Sequence, residues 1–396
     1  MKEVVVRTFW LGGNKLINVI NKTSCCGCNA CCNICPTNAI QMINDEKGFW
    51  FPSIDKDKCI NCGMCEKVCP MLTNKDNNNN PIAYACYNKD EKIRMESSSG
   101  GIFTLLAINI INRGGVVFGA SFNNENLVEH ICIDNIYDLY KLRGSKYLQS
   151  NTNITYKKVK DYLDKNVIVL YTGTPCQIEG LLSYLQIDYE NLFTQDIICH
   201  GVPSPKVWKK YLEFRLGNTK DKTIINFRDK SEGWINYNIV LQNDSVKYKK
   251  IYKHDLYFKA FLNDICLRDS CYNCKFKKHN RLSDITLGDF WGINEVLPEI
   301  NDDKGTSLVI VNSNKGIELF DNINADIIFK KVDLDKALEF NLMIIKSADL
   351  NKNREKFFEN LDKLPFKVLI KKYLPESNIF DRIIHRILNK IKSIFK

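Results

Sequence analysis

Beyond residue 80 the chain repeats one pattern: a short unbroken apolar run, a turn built on glycine or proline, then apolar residues at helical spacing. "NVIVLYTGTPCQIEGLLSYL" (166–185) and "NLFTQDIICHGVPSPKVWKKYLEF" (191–214) each read as a buried strand followed by a helix. Further strands are expected at "GVVFGASF" (115–122), "DITLGDFWGI" (284–293) and "TSLVIVNS" (306–313), with "SNKGIELFDNI" (313–323) passing back into helix. Strands alternating with helices predict an α/β domain whose strand order the pattern leaves open. Before residue 72 the pattern is different. There "AIQM" (39–42) and "FWFPSI" (49–54) flank the turn segment "INDEKG", which predicts a hairpin. The polar stretch "TNKDNNNNP" (73–81) separates the two regions.

Cysteine spacing gives the small N-terminal region its chemistry. Cys25, Cys28, Cys31 and Cys35 precede Pro36 in the order C-x2-C-x2-C-x3-C-P, and Cys59, Cys62, Cys65, Cys69 and Pro70 repeat it 34 residues later. This is the bacterial run that binds two 4Fe-4S clusters, with the fourth cysteine of each run crossing to the other cluster. The expected ligand sets are therefore Cys25, Cys28, Cys31 with Cys69, and Cys59, Cys62, Cys65 with Cys35. Zinc knuckles or a disulfide knot are the competing uses, but neither explains the doubled spacing. Cys26 and Cys32 fall between ligand positions and read as bystanders. A module this small buries little core of its own, so the clusters take that role.

A second signal lies far downstream. Cys266, Cys271 and Cys274 in "CLRDSCYNCKFK" have the local C-x4-C-x2-C spacing of plant-type iron–sulfur sites, whose fourth ligand is distant. Cys199 and Cys176, each in a turn after an expected strand, compete for that place, and a zinc site or buried bystanders are the alternatives. Cys86 and Cys132 sit in strand-like apolar contexts and read as core.

Clusters move single electrons, so chemistry on an organic substrate calls for a cofactor such as flavin. Ser97, Ser98, Ser99, Gly100 and Gly101 stand directly before a helical period, where backbone N–H groups suit a pyrophosphate; a simply capped helix is the plainer reading. "LRGSKYLQS" adds Arg143, Ser145, Lys146 and Tyr147, a mix of cations, hydroxyl and ring. Thr174 in "GTPCQ" and His200 in "CHGVPSP" lie in turns at strand ends, where open α/β sheets bind ligands. His200 reads either as a proton donor or as a turn residue with a satisfied hydrogen bond.

Composition narrows the class. The 396 residues, 44% hydrophobic, allow more than one domain, and the 17 cysteines, with no apolar leader at the N-terminus, fit a reduced cytoplasm better than a disulfide scaffold. No run spans a bilayer, since "GIFTLLAINIINRGGVVFGA" is broken by Asn109, Asn112 and Arg113. The net charge of +10 is spread through the chain without a nucleic-acid module, which argues against a nucleic-acid partner. The last residues, "SNIFDRIIHRILNKIKSIFK", combine an apolar helical stripe with Arg382, Arg386, Lys390, Lys392 and Lys396. Residues 379–396 thus read as a helix packed on protein or, alternatively, as a peripheral contact with the inner membrane face.

Taken together, "SSSGG" (97–101), "LRGSKY" (142–147), "GTPCQIEGL" (173–181), "CHGVPSP" (199–205), "RDKSEGW" (228–234), "CLRDSCYNCKFK" (266–277) and "SDITLGDFWGI" (283–293) resemble the family of the beta subunit of coenzyme F-420 hydrogenases and dehydrogenases. The form resembled is the one fused to an N-terminal two-cluster ferredoxin module. The resemblance implies an α+β ferredoxin-like two-cluster module (20–72), a linker (73–81) and a larger α/β flavin-binding domain (82–375). Residues 1–19 and 376–396 fall outside it, as an extension and a basic amphipathic tail. It further implies an FAD held by the serine–glycine and "LRGSKY" stretches, and electron flow between the clusters and a small organic substrate. Ferredoxin or another low-potential donor is the implied partner. Such bacterial fusions are associated with surface-polysaccharide biosynthesis. A non-catalytic electron-transfer subunit and an iron–sulfur redox sensor are the competing classes.

Overall fold

The computed structural model describes residues 21–73, 79–217 and 223–375. The expected N-terminal extension and the basic tail lie outside the described residues. In the N-terminal module the two cysteine runs adopt the same backbone. Gly27 and Asn29 in the first, and Asn61 and Gly63 in the second, all have positive φ, at 72°, 67°, 55° and 69°. Only glycine and asparagine take this left-handed conformation readily, which accounts for the residue types between the cysteines. Each loop then enters a short helix, Ala30–Ile34 or Met64–Lys67. Strands β1 (Ile40–Asn44) and β2 (Trp50–Ile54) form the antiparallel hairpin that connects the runs.

The larger domain is built on β3 (Ile82–Asn88), β4 (Val116–Phe122), β5 (Val128–Ile133), β6 (Ser150–Asn151), β7 (Val169–Thr172) and β8 (Leu192–Ile197). A small antiparallel sheet follows from β9 (Ile224–Asp229), β10 (Asn238–Gln242) and β11 (Lys247–Ile251). Strands β12 (Ile285–Asp289), β13 (Ser307–Val311) and β14 (Ile327–Val332) complete the main sheet. Its order is β14-β3-β13-β12-β8-β7-β4-β5-β6. The four central strands, β12, β8, β7 and β4, run parallel. Strands β7 and β13 are buried along their whole length and read as nearly unbroken apolar runs rather than alternating ones. Parallel strands deliver their carboxyl ends to one edge: Gly173 to Cys176 follow β7, Cys199 and His200 follow β8, and Asp289 ends β12.

An aromatic core of Trp208, Tyr211, Phe227, Tyr257, Phe258 and Phe366 joins the small sheet to the C-terminal helices Arg354–Glu359 and Phe366–Tyr373. A second core ties the module to the domain, with Cys28, Ala30 and Val68 packed among Tyr156, Ile178 and Leu181. Polar contacts fix the same interface: Asn29 Nδ2 donates to Asn151 Oδ1 at 2.8 Å, Asn33 Nδ2 to Asn153 O at 2.8 Å, and Thr152 Oγ1 to Cys28 O at 3.1 Å. Helix Pro175–Leu185 meets the first cysteine loop at Gly180, where an added Cβ would lie 2.9 Å from both Cβ and Sγ of Cys28. Gly180→Ala is therefore expected to cost about 1–3 kcal/mol by overpacking. It should lower the thermal midpoint and loosen iron at the first cysteine set, which melting and iron release to a chelator would measure.

Candidate functional site

Three groups of thiols form. In the first, Cys25, Cys28 and Cys31 are close enough to influence one another. Cys31 is pushed well above the ordinary thiol range by its hydrogen-bonded neighbour Cys32, by burial, and by the charges of Cys28 and Cys25. Cys69 is raised chiefly by burial and also by Cys25, which places it near that residue. In the second group, Cys35 joins Cys59, Cys62 and Cys65 around an apolar pocket of about 350 Å³ with Pro36, Ile40, Ile54 and Met64 on its walls. Cys32 belongs to neither pocket wall and lies 3.3 Å from Ile40 O, to which it donates.

The third group lines an apolar cavity of about 510 Å³, mouth included, between module and domain: Cys176, Cys199, Cys271 and Cys274, with Cys26 and Met71 from the module. The four thiols arrive from three segments. Cys176 sits in the first turn of helix Pro175–Leu185, which a reciprocal pair of hydrogen bonds between Thr174 and Gln177 caps. Cys199 follows β8, Cys271 lies in the turn Asp269–Asn273, and Cys274 ends that turn. Burial raises Cys199 to about 12 and pushes Cys271 and Cys274 up as well. The backbone N–H of Val202 points at Cys271 Sγ, 3.5 Å away. Cys266 is not brought to this cavity. It is fully buried in the aromatic core beside Tyr257 and Leu267. In place of the Cys266–Cys271–Cys274 run indicated by spacing, the structure gathers the last two of these with both Cys176 and Cys199.

The fit to a cluster follows from shape. Among the described residues no three Cys, His, Asp or Glu side chains converge as a single ion requires. A cubane instead binds its four thiolates on four separate irons and needs a volume with thiols around it, which the second and third groups provide.

His200 stands on the wall of the third cavity, with Nε2 2.5 Å from Asp264 Oδ1 and Nδ1 3.1 Å from Met343 Sδ. The serine–glycine loop lies elsewhere and largely satisfies itself. Ser97 Oγ donates to Ile93 O at 2.7 Å, Ser99 Oγ donates to Thr306 O at 3.0 Å, and Gly100 N donates to Ser307 Oγ at 2.9 Å. Gly100 also packs so close to β3 and β13 that a Cβ would meet Cys86 O at 2.5 Å. Ser98 Oγ accepts from Ser145 N at 2.7 Å, which clasps this loop to "LRGSKY". Gly101, at φ 84°, starts helix Ile102–Asn112 without a side-chain cap. Arg143 pairs with Glu96 and also donates to Thr104 Oγ1 at 3.2 Å. Tyr147 OH accepts from Arg228 at 3.0 Å, and its ring joins the aromatic core.

Buried charge gathers around these loops, some of it on residues that sequence patterns did not single out. Lys146 Nζ is enclosed by the carbonyls of Leu142, Arg143 and Gly144 at 3.0–3.2 Å, and burial brings it down to about 7. Lys230 Nζ donates to Arg94 O, Ser99 O and Lys304 O, and burial holds it near 7 too. Arg228 is buried, which opposes its charge, yet the fork to Asp289 at 2.8 and 3.0 Å holds it protonated. His130, lowered to about 4 by burial, keeps a neutral ring whose Nε2–H donates to Thr172 O at 2.9 Å. A lone lysine or histidine in sequence carries no sign of such a setting; only the folded neighbours reveal it.

A ferredoxin-type module docked on an α/β domain is the class that fold and thiols define. Residues 24–72 match the 4Fe-4S dicluster domain. Residues 167–337 match the family of the C-terminal region of the beta subunit of coenzyme F-420 hydrogenase/dehydrogenase, a family of oxidoreductases. Comparison with curated protein sequences gives no match. Among solved structures, a chain of the F-420-reducing NiFe hydrogenase complex from Methanosarcina barkeri is similar at 18% identity and a TM-score of 0.46, over 70% of this chain and 91% of that chain. No helix among the described residues is long and apolar enough to cross a membrane.

Proposed function

We propose that the chain is an iron–sulfur flavoprotein oxidoreductase. Electrons enter from ferredoxin or another low-potential donor at the two module clusters, pass to a third cluster held by Cys176, Cys199, Cys271 and Cys274, and continue to FAD and a small organic substrate. The observation that carries this reading is the third cavity, where four domain thiols face the module across one apolar volume. Buried thiols raised this far are poor thiolates alone, and metal binding is what deprotonates them.

The residues around the serine–glycine loop fit an FAD. Its pyrophosphate suits the uncapped helix start at Gly101 together with the amines of Lys146 and Lys230. FAD would supply the exchange between one-electron and two-electron chemistry. The chain's part is to hold the anion: Ser98 and Ser145 fix the two loops to each other, and Arg228 stays charged at all working pH values. A polysaccharide-related substrate is the specific form of this proposal.

The test is anaerobic purification followed by iron, sulfide and flavin assay. About twelve iron per chain, by the cubane count, with one FAD supports the proposal. About eight iron with zinc, or no flavin after reconstitution, rejects it. Lys146 adds a pH signature. The folded amine, near 7, lies below the unfolded value, so the unfolded chain binds more protons between pH 7 and about 10.4 and this group's contribution to stability rises with pH there. The cation available to a phosphate falls over the same window. FAD affinity is expected to weaken by up to about tenfold from pH 6 to pH 8. Lys146→Arg should remove that dependence in equilibrium binding, and an unchanged profile would place the cofactor elsewhere.

A further inference from the structure

We propose that Arg268 is a positioning residue of the first module cluster: a buried cation, set by the domain into the first cysteine loop, that has the cluster as its counter-charge and raises its reduction potential. The inference rests on the reading of the module as a two-cluster unit, with Cys25, Cys28, Cys31 and Cys69 around the first cluster, and not on the third cavity. Arg268 stands directly before the turn Asp269–Asn273 of the domain, yet its head group lies among module residues. Its Nε donates to Cys25 O at 2.9 Å. The guanidinium carbon is 4.1 Å from the centre of the Phe51 ring on β2. At Gly27, between Cys25 and Cys28, an added Cβ would stand 3.1 Å from both Cζ and Nη1 of Arg268.

These contacts leave the charge unmet. Arg268 is fully buried, its Nη1 has only Gln149 Oε1 at 3.4 Å, and its Nη2 has no hydrogen-bond partner. Both acceptors it reaches are neutral amide oxygens, and among the described residues no carboxylate pairs with it. The other buried arginines each have one: Arg94 pairs with Asp302, Arg228 with Asp289, Arg281 with Asp196 and Arg354 with Asp269. Arginine keeps its charge in proteins, and a buried charge is strongly unfavourable unless an opposite one compensates it. A cubane held by four thiolates is a net anion, and the cysteine spacing puts one at this loop. The guanidinium that lacks a carboxylate is thus the one that enters a ligand loop.

Reduction by the low-potential donor adds one electron to the cluster and moves no proton. A fixed cation in a site shielded from water favours the more negative, reduced state and so raises the potential. The electron is thereby held at the end of the module that shares a core with the domain. The experiment uses the full-length protein purified anaerobically as wild type, Arg268→Gln, Arg268→Lys and Gln149→Glu, with iron counts and redox titration followed by electron paramagnetic resonance. Equal iron is expected in all four. In Arg268→Gln one module midpoint should fall by about tenfold in the equilibrium constant, about 59 mV for one electron, while the other module midpoint stays. Gln149→Glu leaves the arginine in place but gives it a carboxylate partner, so the same midpoint should fall there too. Arg268→Lys keeps the charge and should restore most of the wild-type value. Unchanged module midpoints in Arg268→Gln with full iron overturn the inference. If Arg268→Gln loses iron, Gln149→Glu decides: a lowered midpoint supports the inference and an unchanged one overturns it. Wild-type protein without module clusters removes the reading on which the inference rests, before any variant is compared.

Discussion

Cys271→Ser is expected to lower the iron count from about twelve to about eight, whereas Cys266→Ser leaves it at about twelve. The two residues are five apart and share one spacing motif, yet their surroundings are opposite. Cys271 faces the cavity with Cys176, Cys199 and Cys274. Cys266 faces Tyr257 and the aromatic core, where burial drives its thiol up. Its loss as a serine is a packing change with a buried hydroxyl, at about 1–3 kcal/mol. Iron analysis with melting curves separates the two outcomes. Iron lost from Cys266→Ser with Cys271→Ser intact would restore the ligand run that spacing suggests.

Arg354→Ala should be the most destabilising single change in the C-terminal region, at about 3 kcal/mol or more. The guanidinium is 1% exposed and forks to Asp269 with both contacts at 3.0 Å. It also donates to Leu267 O at 2.7 Å and reaches Tyr272 OH at 3.1 Å. One side chain thereby holds helix Arg354–Glu359 against the loop that presents Cys271 and Cys274. Breaking a buried pair from one side costs about 3–5 kcal/mol. The lower end applies because Asp269 retains Lys47 at 3.8 Å. Arg354→Lys keeps the charge but loses the fork, so a smaller loss is expected. Denaturant midpoints would check the order; equal stability of Ala and wild type would show that the fork contributes nothing.

What the sequence made legible followed how local each physical requirement is. A ferredoxin loop must place three sulfurs within seven residues, so its ligands and the glycine and asparagine positions between them are written contiguously. Strands β7 and β13 could be read because burial along their whole length demands nearly unbroken apolar runs. The third thiol set could not be read as a set. Its members sit in three separate segments whose meeting depends on strand order, and the C-x4-C-x2-C spacing drew in Cys266, whose side chain the core claims instead. Lys146, read only as a loop cation, and Lys230, quoted only within a longer stretch, owe their lowered basicity first to burial, which the folded neighbours impose. Sequence alone could not place Cys26 on the third cavity's wall, because Cys176 on the same wall lies 150 residues away.

The interface at Gly180 has a kinetic consequence. Because the module shares a core with the domain, the path from the first cysteine set to the third cavity has a fixed length and no docking step. Electron passage inside the chain should then be indifferent to ionic strength and to protein concentration, while delivery by an external, charged donor should slow as salt screens the encounter. Any salt dependence of turnover would therefore report on the donor's approach, and the internal wire would set a ceiling that salt leaves in place.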